Sequence, residues 1–319
     1  MWNILQKKYS HLSFDGGNTM KNKIAGTVAA GIAALLLPAV SVQAVTVNFG
    51  TAAAVSSDSI QGWPKGPDTV SETAVLIDAD TGAVLYDKGK DEYRYPASTT
   101  KIMTVLTAIE NSSPKDSVTF TETGVRDVTW DSSNIGMQLG ETITMKDCWY
   151  AAIIKSANEV CAQMAEYVGG TEAQFIEMMN EKARELGCSN THFANASGLP
   201  DSDHYTTAYD LYLIFQNCIQ NEAFLKIIET KSYTASITQA DGNVRTEDWA
   251  PTNYYAKGIV SAPDGVTVLG GKTGTTGEAG YCLILLNENV AGHPYISIVM
   301  GAGSRALLYE DMNALLDGA

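Results

Sequence analysis

Ser98 and Lys101 stand three residues apart in Tyr95-Pro96-Ala97-Ser98-Thr99-Thr100-Lys101-Ile102-Met103. A hydroxyl beside an amine can serve as a nucleophile beside its base. The apolar positions that follow, Ile102, Val105, Leu106 and Ile109, recur at helical spacing and predict a helix with Ser98 at or near its start. Residues three apart share a helix face at roughly 5–6 Å between Cβ atoms, which brings the Lys101 amine to the Ser98 hydroxyl. The positive end of the helix dipole disfavours a charged amine in the first turn and favours a neutral one able to take a proton. Free backbone N–H groups at that terminus would meet an oxyanion formed where Ser98 attacks a carbonyl. An N-cap serine and a solvated lysine would show the same spacing, and Ser112-Ser113-Pro114-Lys115 repeats it inside a loop, so the pair requires partners.

Two other stretches could supply them. In Lys155-Ser156-Ala157-Asn158-Glu159, Ser156 and Asn158 sit where one apolar helical pattern gives way to another, and a short turn there would aim both side chains into a cleft. Helix capping is the alternative use of the same residues. Leu269-Gly270-Gly271-Lys272-Thr273-Gly274-Thr275-Thr276-Gly277 follows a predicted strand, and glycines at a sheet edge let a ligand or another backbone come close. Lys272 would provide a fixed cation, and Thr273 and Thr275 hydroxyl donors, for a carboxylate. The order of glycine and lysine is not that of a phosphate-binding loop.

The elements that must position these residues are legible in outline. Residues 74–78 and 83–86 are apolar segments flanking Ala79-Asp80-Thr81-Gly82 and read as a hairpin. A polar stretch covers 111–140, helical patterns run over about 145–169 and 172–187, Phe193 to Pro200 is a loop, and a helix starts near Thr207. Residues 231–257 read as a polar segment, strands return at 266–269, 281–286 and 295–300, and a last helix covers 310–316. Strands at both ends with helices between them predict an α+β domain in which the two ends pair in one antiparallel sheet covered by helices.

Bulk properties narrow the classes. With 319 residues, 45% apolar and 18% charged, the chain is globular, and a formal charge of -15 argues against binding nucleic acid or an anionic membrane through a basic surface. Met20-Lys21-Asn22-Lys23, an apolar run over 24–42 and Val42-Gln43-Ala44 have the layout of a secretory signal peptide cleaved after Ala44, with an uncleaved anchor as the only expected membrane attachment. Residues 1–19 are expected to be an extension upstream of a true start at Met20, and 45–70, rich in Ala, Ser, Gly and Pro, a linker. Cys148, Cys161, Cys188, Cys218 and Cys282 show no metal-like spacing. An odd number leaves at least one free thiol, and most are expected to be buried as small hydrophobes.

Ser-x-x-Lys, Ser-x-Asn and Lys-Thr-Gly, in that order, form the signature of penicillin-binding proteins and class A β-lactamases. With Asp80-Thr81-Gly82, Asn195, Gly198-Leu199-Pro200, His204-Tyr205-Thr206-Thr207, Asp210-Leu211 and Glu278-Ala279-Gly280-Tyr281-Cys282, the chain resembles the low-molecular-mass penicillin-binding proteins that are D-alanyl-D-alanine carboxypeptidases. The resemblance runs from about Trp63 to Leu316. It implies a β-lactamase/transpeptidase-like fold, with a mostly helical subdomain between the first hairpin and the last strands, and a catalytic domain over 71–317. It further implies peptidoglycan stem peptides ending in D-Ala-D-Ala as substrate, β-lactams as covalent inhibitors, and no metal or organic cofactor.

By that resemblance Ser98 is the nucleophile, Lys101 its base and Ser156 the relay to the leaving amine. Asn158 holds the substrate amide and orients Lys101, and Lys272 keeps Lys101 neutral. Lys272, Thr273, Gly274 and Thr275 bind the substrate, and the backbone N–H groups of Ser98 and Thr275 form the oxyanion hole. Arg305, in Gly303-Ser304-Arg305, is the candidate for the family's carboxylate-binding arginine, a surface role being its alternative. The 187–201 region lacks the Glu-x-x-x-Asn of class A β-lactamases, which favours a peptidase. A D,D-endopeptidase, a β-lactamase and a penicillin-binding sensor without turnover are the competing activities. No C-terminal β domain or anchor is expected.

Overall fold

The computed structural model describes residues 66–126 and 128–318. The expected leader, its cleavage site and residues 45–65 of the linker lie outside the described residues. The strands are β1 (Thr73–Asp78), β2 (Val84–Lys88), β3 (Ser117–Thr119), β4 (Thr142–Thr144), β5 (Tyr233–Thr238), β6 (Val244–Trp249), β7 (Val266–Thr276), β8 (Gly280–Asn289) and β9 (Pro294–Ala302). The helices are α1 (Lys101–Asn111), α2 (Glu122–Val125), α3 (Met145–Tyr150), α4 (Asn158–Gly169), α5 (Glu172–Glu185), α6 (Ala208–Cys218), α7 (Glu222–Glu229) and α8 (Arg305–Leu316).

An antiparallel sheet in the order β2-β1-β9-β8-β7 joins the two ends of the domain. The turn between β1 and β2 closes because the Asp78 carboxylate accepts the N–H groups of Asp80 (3.0 Å) and Thr81 (2.8 Å), the local bonding that makes aspartate a turn residue. Alternation along the strands covers the sheet on both faces. Val75, Ile77, Ile284, Leu286, Ile296, Ile298 and Met300 face the helical body. Ala74, Leu76, Leu283, Leu285 and Val299 face α8 through Leu308, Met312, Leu315 and Leu316. The expected α+β architecture is the observed one, and α1 lies at its centre, with Lys101 through Ala108 all buried.

Three boundaries differ from expectation. The segment 231–257 holds β5 and β6, which complete a four-stranded sheet β3-β4-β5-β6 in the inserted region. In β5 only Ala235 and Ile237 are fully buried, and in β6 only Trp249, so the two strands carry little apolar signal. Strand β7 does not end at Leu269: it passes through a bulge between Val268 and Gly270 and continues to Thr276, so Lys272 to Thr275 lie within the edge strand. Gly270 is needed there, because a Cβ would stand 2.0 Å from the Ile228 carbonyl oxygen. Helix α8 starts five residues before the expected 310, capped by the Ser304 hydroxyl, which accepts the Leu307 N–H at 3.2 Å.

Candidate active site

The nucleophile turn is a single 3-10 turn, Ala97–Thr100, that feeds α1. Thr99 fastens it by donating both its N–H (3.2 Å) and its hydroxyl (2.6 Å) to the Pro96 carbonyl. Ala97 sits at φ 48°, a region costly for a residue with a Cβ. The Ser98 hydroxyl does not cap the helix. It accepts a hydrogen bond from the Lys101 ammonium at 2.8 Å. Lys101 has no solvent exposure, and its other two protons go to Asn158 Oδ1 at 2.8 Å and the Ser197 carbonyl at 2.5 Å. Three acceptors therefore hold its Nζ in one place.

Ser156 and Asn158 reach the same centre because the helix between them breaks. Helix α3 runs into a π-helical turn over residues 151–155, which stops at Ser156 in the left-handed conformation (φ 61°, ψ 30°). Ala157 is extended, and α4 begins at Asn158. Ser156 and Ala97 are the non-glycine residues at positive φ among those described, and both flank the pair Ser98 and Lys101. The Ser156 hydroxyl accepts from Lys272 Nζ at 3.0 Å, and Lys272 also donates to its neighbour's carbonyl, Thr273, at 2.6 Å. Strand β7 crosses the nucleophile turn closely, for a Cβ on Gly274 would lie 3.0 Å from both the Pro96 carbonyl oxygen and Ser98 N.

Two lobes open from Ser98. One, of about 310 Å³, is lined by Ser156, Thr273, Gly274, Thr275, Tyr254 and Arg305. The other, of about 430 Å³, is lined by Ser133, Asn158, Ser197 to Pro200 and Thr275 to Glu278. Arg305 therefore faces the cleft: Nη1 donates to the Tyr254 hydroxyl at 2.8 Å, and the guanidinium lies over the Tyr254 and Tyr281 rings. Lys101 and Lys272 lie behind the Ser98 and Ser156 hydroxyls that they bond, each at most 1% exposed.

Burial is the first cause that lowers the proton affinity of both amines, ahead of the helix dipole invoked from sequence. It pulls Lys101 down to about 8 against the opposing charges of Cys161 and Glu159. Lys272 falls well below the ordinary range, by burial and then by the charge of Lys101. Two ammonium groups in one dry volume repel, so the pair holds a second proton only at a cost.

Ser133, Ser197 and Thr252 carried no motif signal, and Asn195 and Gly198 entered through the family resemblance without an assigned role. The loop 195–200 is folded around Asn195, whose Oδ1 accepts the N–H groups of Ser197 (3.2 Å), Gly198 (2.7 Å) and Leu199 (3.1 Å), which aims the Ser197 carbonyl at Lys101. Gly198, at φ +86°, passes so near the nucleophile turn that a Cβ would meet the Ala97 carbonyl oxygen at 1.9 Å. The Ser133 carbonyl accepts the Asn158 N–H at 2.8 Å, and the Thr252 hydroxyl meets that of Thr273 at 2.6 Å. Main-chain partners such as these leave no side-chain signature, so only tertiary contact reveals them. None of the five cysteines is in a disulfide and all are buried, and among the described residues no group of three or more His, Cys, Asp or Glu side chains could hold a metal ion.

The sheet lies between α8 and a helical body, and Ser-x-x-Lys, Ser-x-Asn and Lys-Thr-Gly meet on one cleft, the arrangement of the penicillin-binding class. The S11 peptidase family model, described as D-alanyl-D-alanine carboxypeptidase, matches residues 61–304, and the chain belongs to that family. It is 34% identical over 253 residues to the D-alanyl-D-alanine carboxypeptidase DacF of Bacillus subtilis (strain 168), covering 78% of this chain and 62% of that protein. Among solved structures it resembles the Streptomyces K15 DD-transpeptidase, with TM-score 0.74 and 28% identity, covering 80% of this chain and 98% of that one. The D-alanyl-D-alanine carboxypeptidase DacD from Francisella tularensis aligns with TM-score 0.70 and 26% identity, over 80% of this chain and 71% of the other.

Proposed function

We propose that the chain is a serine-type D-Ala-D-Ala carboxypeptidase that removes the terminal D-alanine of peptidoglycan stem peptides through an acyl-enzyme, and that β-lactams acylate the same serine. The observation that carries this reading is the fully buried Lys101 amine 2.8 Å from the Ser98 hydroxyl, with Asn158 and the Ser197 carbonyl fixing its direction. In the reaction Ser98 Oγ bonds to the carbonyl carbon between the two terminal D-alanines while its proton moves to Lys101. The carbonyl oxygen gains the electron pair and is held by the backbone N–H groups of Ser98 and Thr275. As the C–N bond breaks, the proton taken up by Lys101 passes through Ser156, which is bonded to Lys272, to the departing amine, and Lys101 is neutral again. D-Alanine leaves, an ester remains on Ser98, and water cleaves it with Lys101 now acting as base.

The substrate's terminal carboxylate would lie in the lobe with Thr273, Thr275 and Arg305, behind which the Lys272 amine bonds Ser156. A carboxylate arriving there favours a proton on Lys272, and its repulsion then favours the neutral amine on Lys101 that the first step requires. The catalytic domain is assigned to residues 71–317, exported by the signal sequence at 20–44.

The test is release of D-alanine from a peptide ending in D-Ala-D-Ala, by the native chain and by Ser98→Ala, alongside labelling with a fluorescent penicillin. Release and labelling that both vanish in Ser98→Ala support the reading. Labelling undiminished in that variant would remove Ser98 as nucleophile. Labelling by the native chain without D-alanine release would leave a sensor, and rapid penicillin turnover a β-lactamase.

A further inference from the structure

Among the described residues Glu159 is a buried acid that the mechanism above does not use. It has no solvent exposure and follows directly on Asn158, whose side chain holds Lys101. One carboxylate oxygen accepts the Ile135 N–H at 2.7 Å, and the other accepts no hydrogen bond. In the first turn of α4 it lies where a helix favours negative charge. That role alone does not call for burial: Glu122, Glu172 and Glu222 stand in the first turns of other helices and are exposed or half-buried, while the buried first-turn acids Asp147 and Asp210 accept side-chain and backbone hydrogen bonds. An acid sealed in a dry interior with an unused oxygen destabilises the fold unless a nearby cation offsets it. The titratable groups coupled to that volume are Lys101 on α1, Cys161 on α4 and Cys148 on α3, and Lys272 of β7 is coupled to Lys101 and Cys161. Burial holds the Cys148 thiol far above its ordinary range, so it stays un-ionised.

We infer that Glu159 is a positioning residue for acylation: its carboxylate is the buried counter-charge to the Lys101 ammonium, and the one oxygen that accepts the Ile135 N–H ties the segment at the cleft wall to the helix turn that carries Asn158. When the Ser98 proton moves to Lys101, a cation forms in a volume that already contains Lys272, and the Glu159 carboxylate offsets it. The link to the wall is short. The Asn158 N–H holds the Ser133 carbonyl at 2.8 Å, Glu159 holds Ile135, and Ser133 lines both lobes of the cleft. Charge at Lys101 and the position of the wall are thus set by two consecutive residues. The inference rests on Lys101 being the base that activates Ser98.

The experiment is the rate of acylation by a fluorescent penicillin as a function of pH, for the native chain and Glu159→Gln. Loss of the negative charge lowers the proton affinity of Lys101, so the rising limb of the profile moves to lower pH by about one unit, and Glu159→Asp moves it back. A limb that stays in place in a folded Glu159→Gln overturns the inference. So does a limb that moves in Cys161→Ala and not in Glu159→Gln. Should Glu159→Gln fail to fold, the reciprocal measurement decides. Burial raises the Glu159 carboxyl to about 7 in the native chain. In Lys101→Met, with the cation gone, the infrared band of the un-ionised carboxyl must persist to higher pH, and an unchanged titration refutes the coupling. Failure of the underlying reading looks different, for then the native chain is not labelled at all or Ser98→Ala still is.

Discussion

Protonating His204 should loosen the domain by an amount that the structure permits to be worked out. His204 is 1% exposed and bridges the 204–207 segment to the nucleophile turn. The Ala194 N–H donates to its Nδ1 at 3.1 Å, so Nδ1 is an acceptor and the proton of the neutral ring sits on Nε2, which donates to the Thr100 hydroxyl at 2.8 Å. A second proton would have to sit on Nδ1, facing a backbone N–H. Burial, as the largest cause, accordingly lowers the group from 6.5 to about 4. Between those pH values the unfolded chain binds more protons than the folded one, so this contribution to stability is complete above 6.5 and is lost as the pH falls towards 4. At a pH of about 4.5 the loss is roughly 2.5 kcal/mol. The assay is denaturant unfolding of the native chain and of His204→Gln at pH of about 7.5 and about 4.5. Ionisable groups common to both proteins cancel in the difference, leaving His204. At neutral pH the variant should be less stable by about 1–3 kcal/mol through its lost buried hydrogen bonds. At the acid pH that gap should shrink by roughly 2.5 kcal/mol and close or reverse. A gap equal at the two pH values would refute the assignment of His204 as a buried neutral clamp.

Gly198→Ala should lower penicillin acylation at least ~10-fold and destabilise the fold by ~2 kcal/mol or more, because a Cβ at φ +86° meets the Ala97 carbonyl and pushes on the turn that carries Ser98; acylation kinetics and thermal unfolding measure the two effects, and a native-like variant would show that the turn is not held there. The five cysteines, all buried and none in a disulfide, should react with a thiol reagent only after denaturation, and rapid modification of any one of them in the native chain would contradict its placement. The rate of acylation should fall about tenfold per pH unit below the Lys101 value of about 8, since only the neutral amine accepts the Ser98 proton; a flat profile down to pH of about 6 would exclude Lys101 as the base.

The sequence by itself determined the residue types that could do the chemistry and the local frame that presents them. Ser98 and Lys101 face each other because three residues on a helical turn must, and the alternation of Ala74 to Ile77 requires a sheet covered on both faces. The small sheet and the full length of β7 were not legible, because β6 buries only its last residue and the glycines of β7 answer to distant neighbours, Gly270 to Ile228 and Gly274 to Pro96 and Ser98. Only the tertiary structure decided which amines are buried together, that the Ser197 carbonyl and Asn158 share the protons of Lys101, and that Arg305 faces the cleft. Those facts depend on long-range packing: desolvation and charge repulsion act through space, and neither periodicity nor spacing encodes what lies across a cleft.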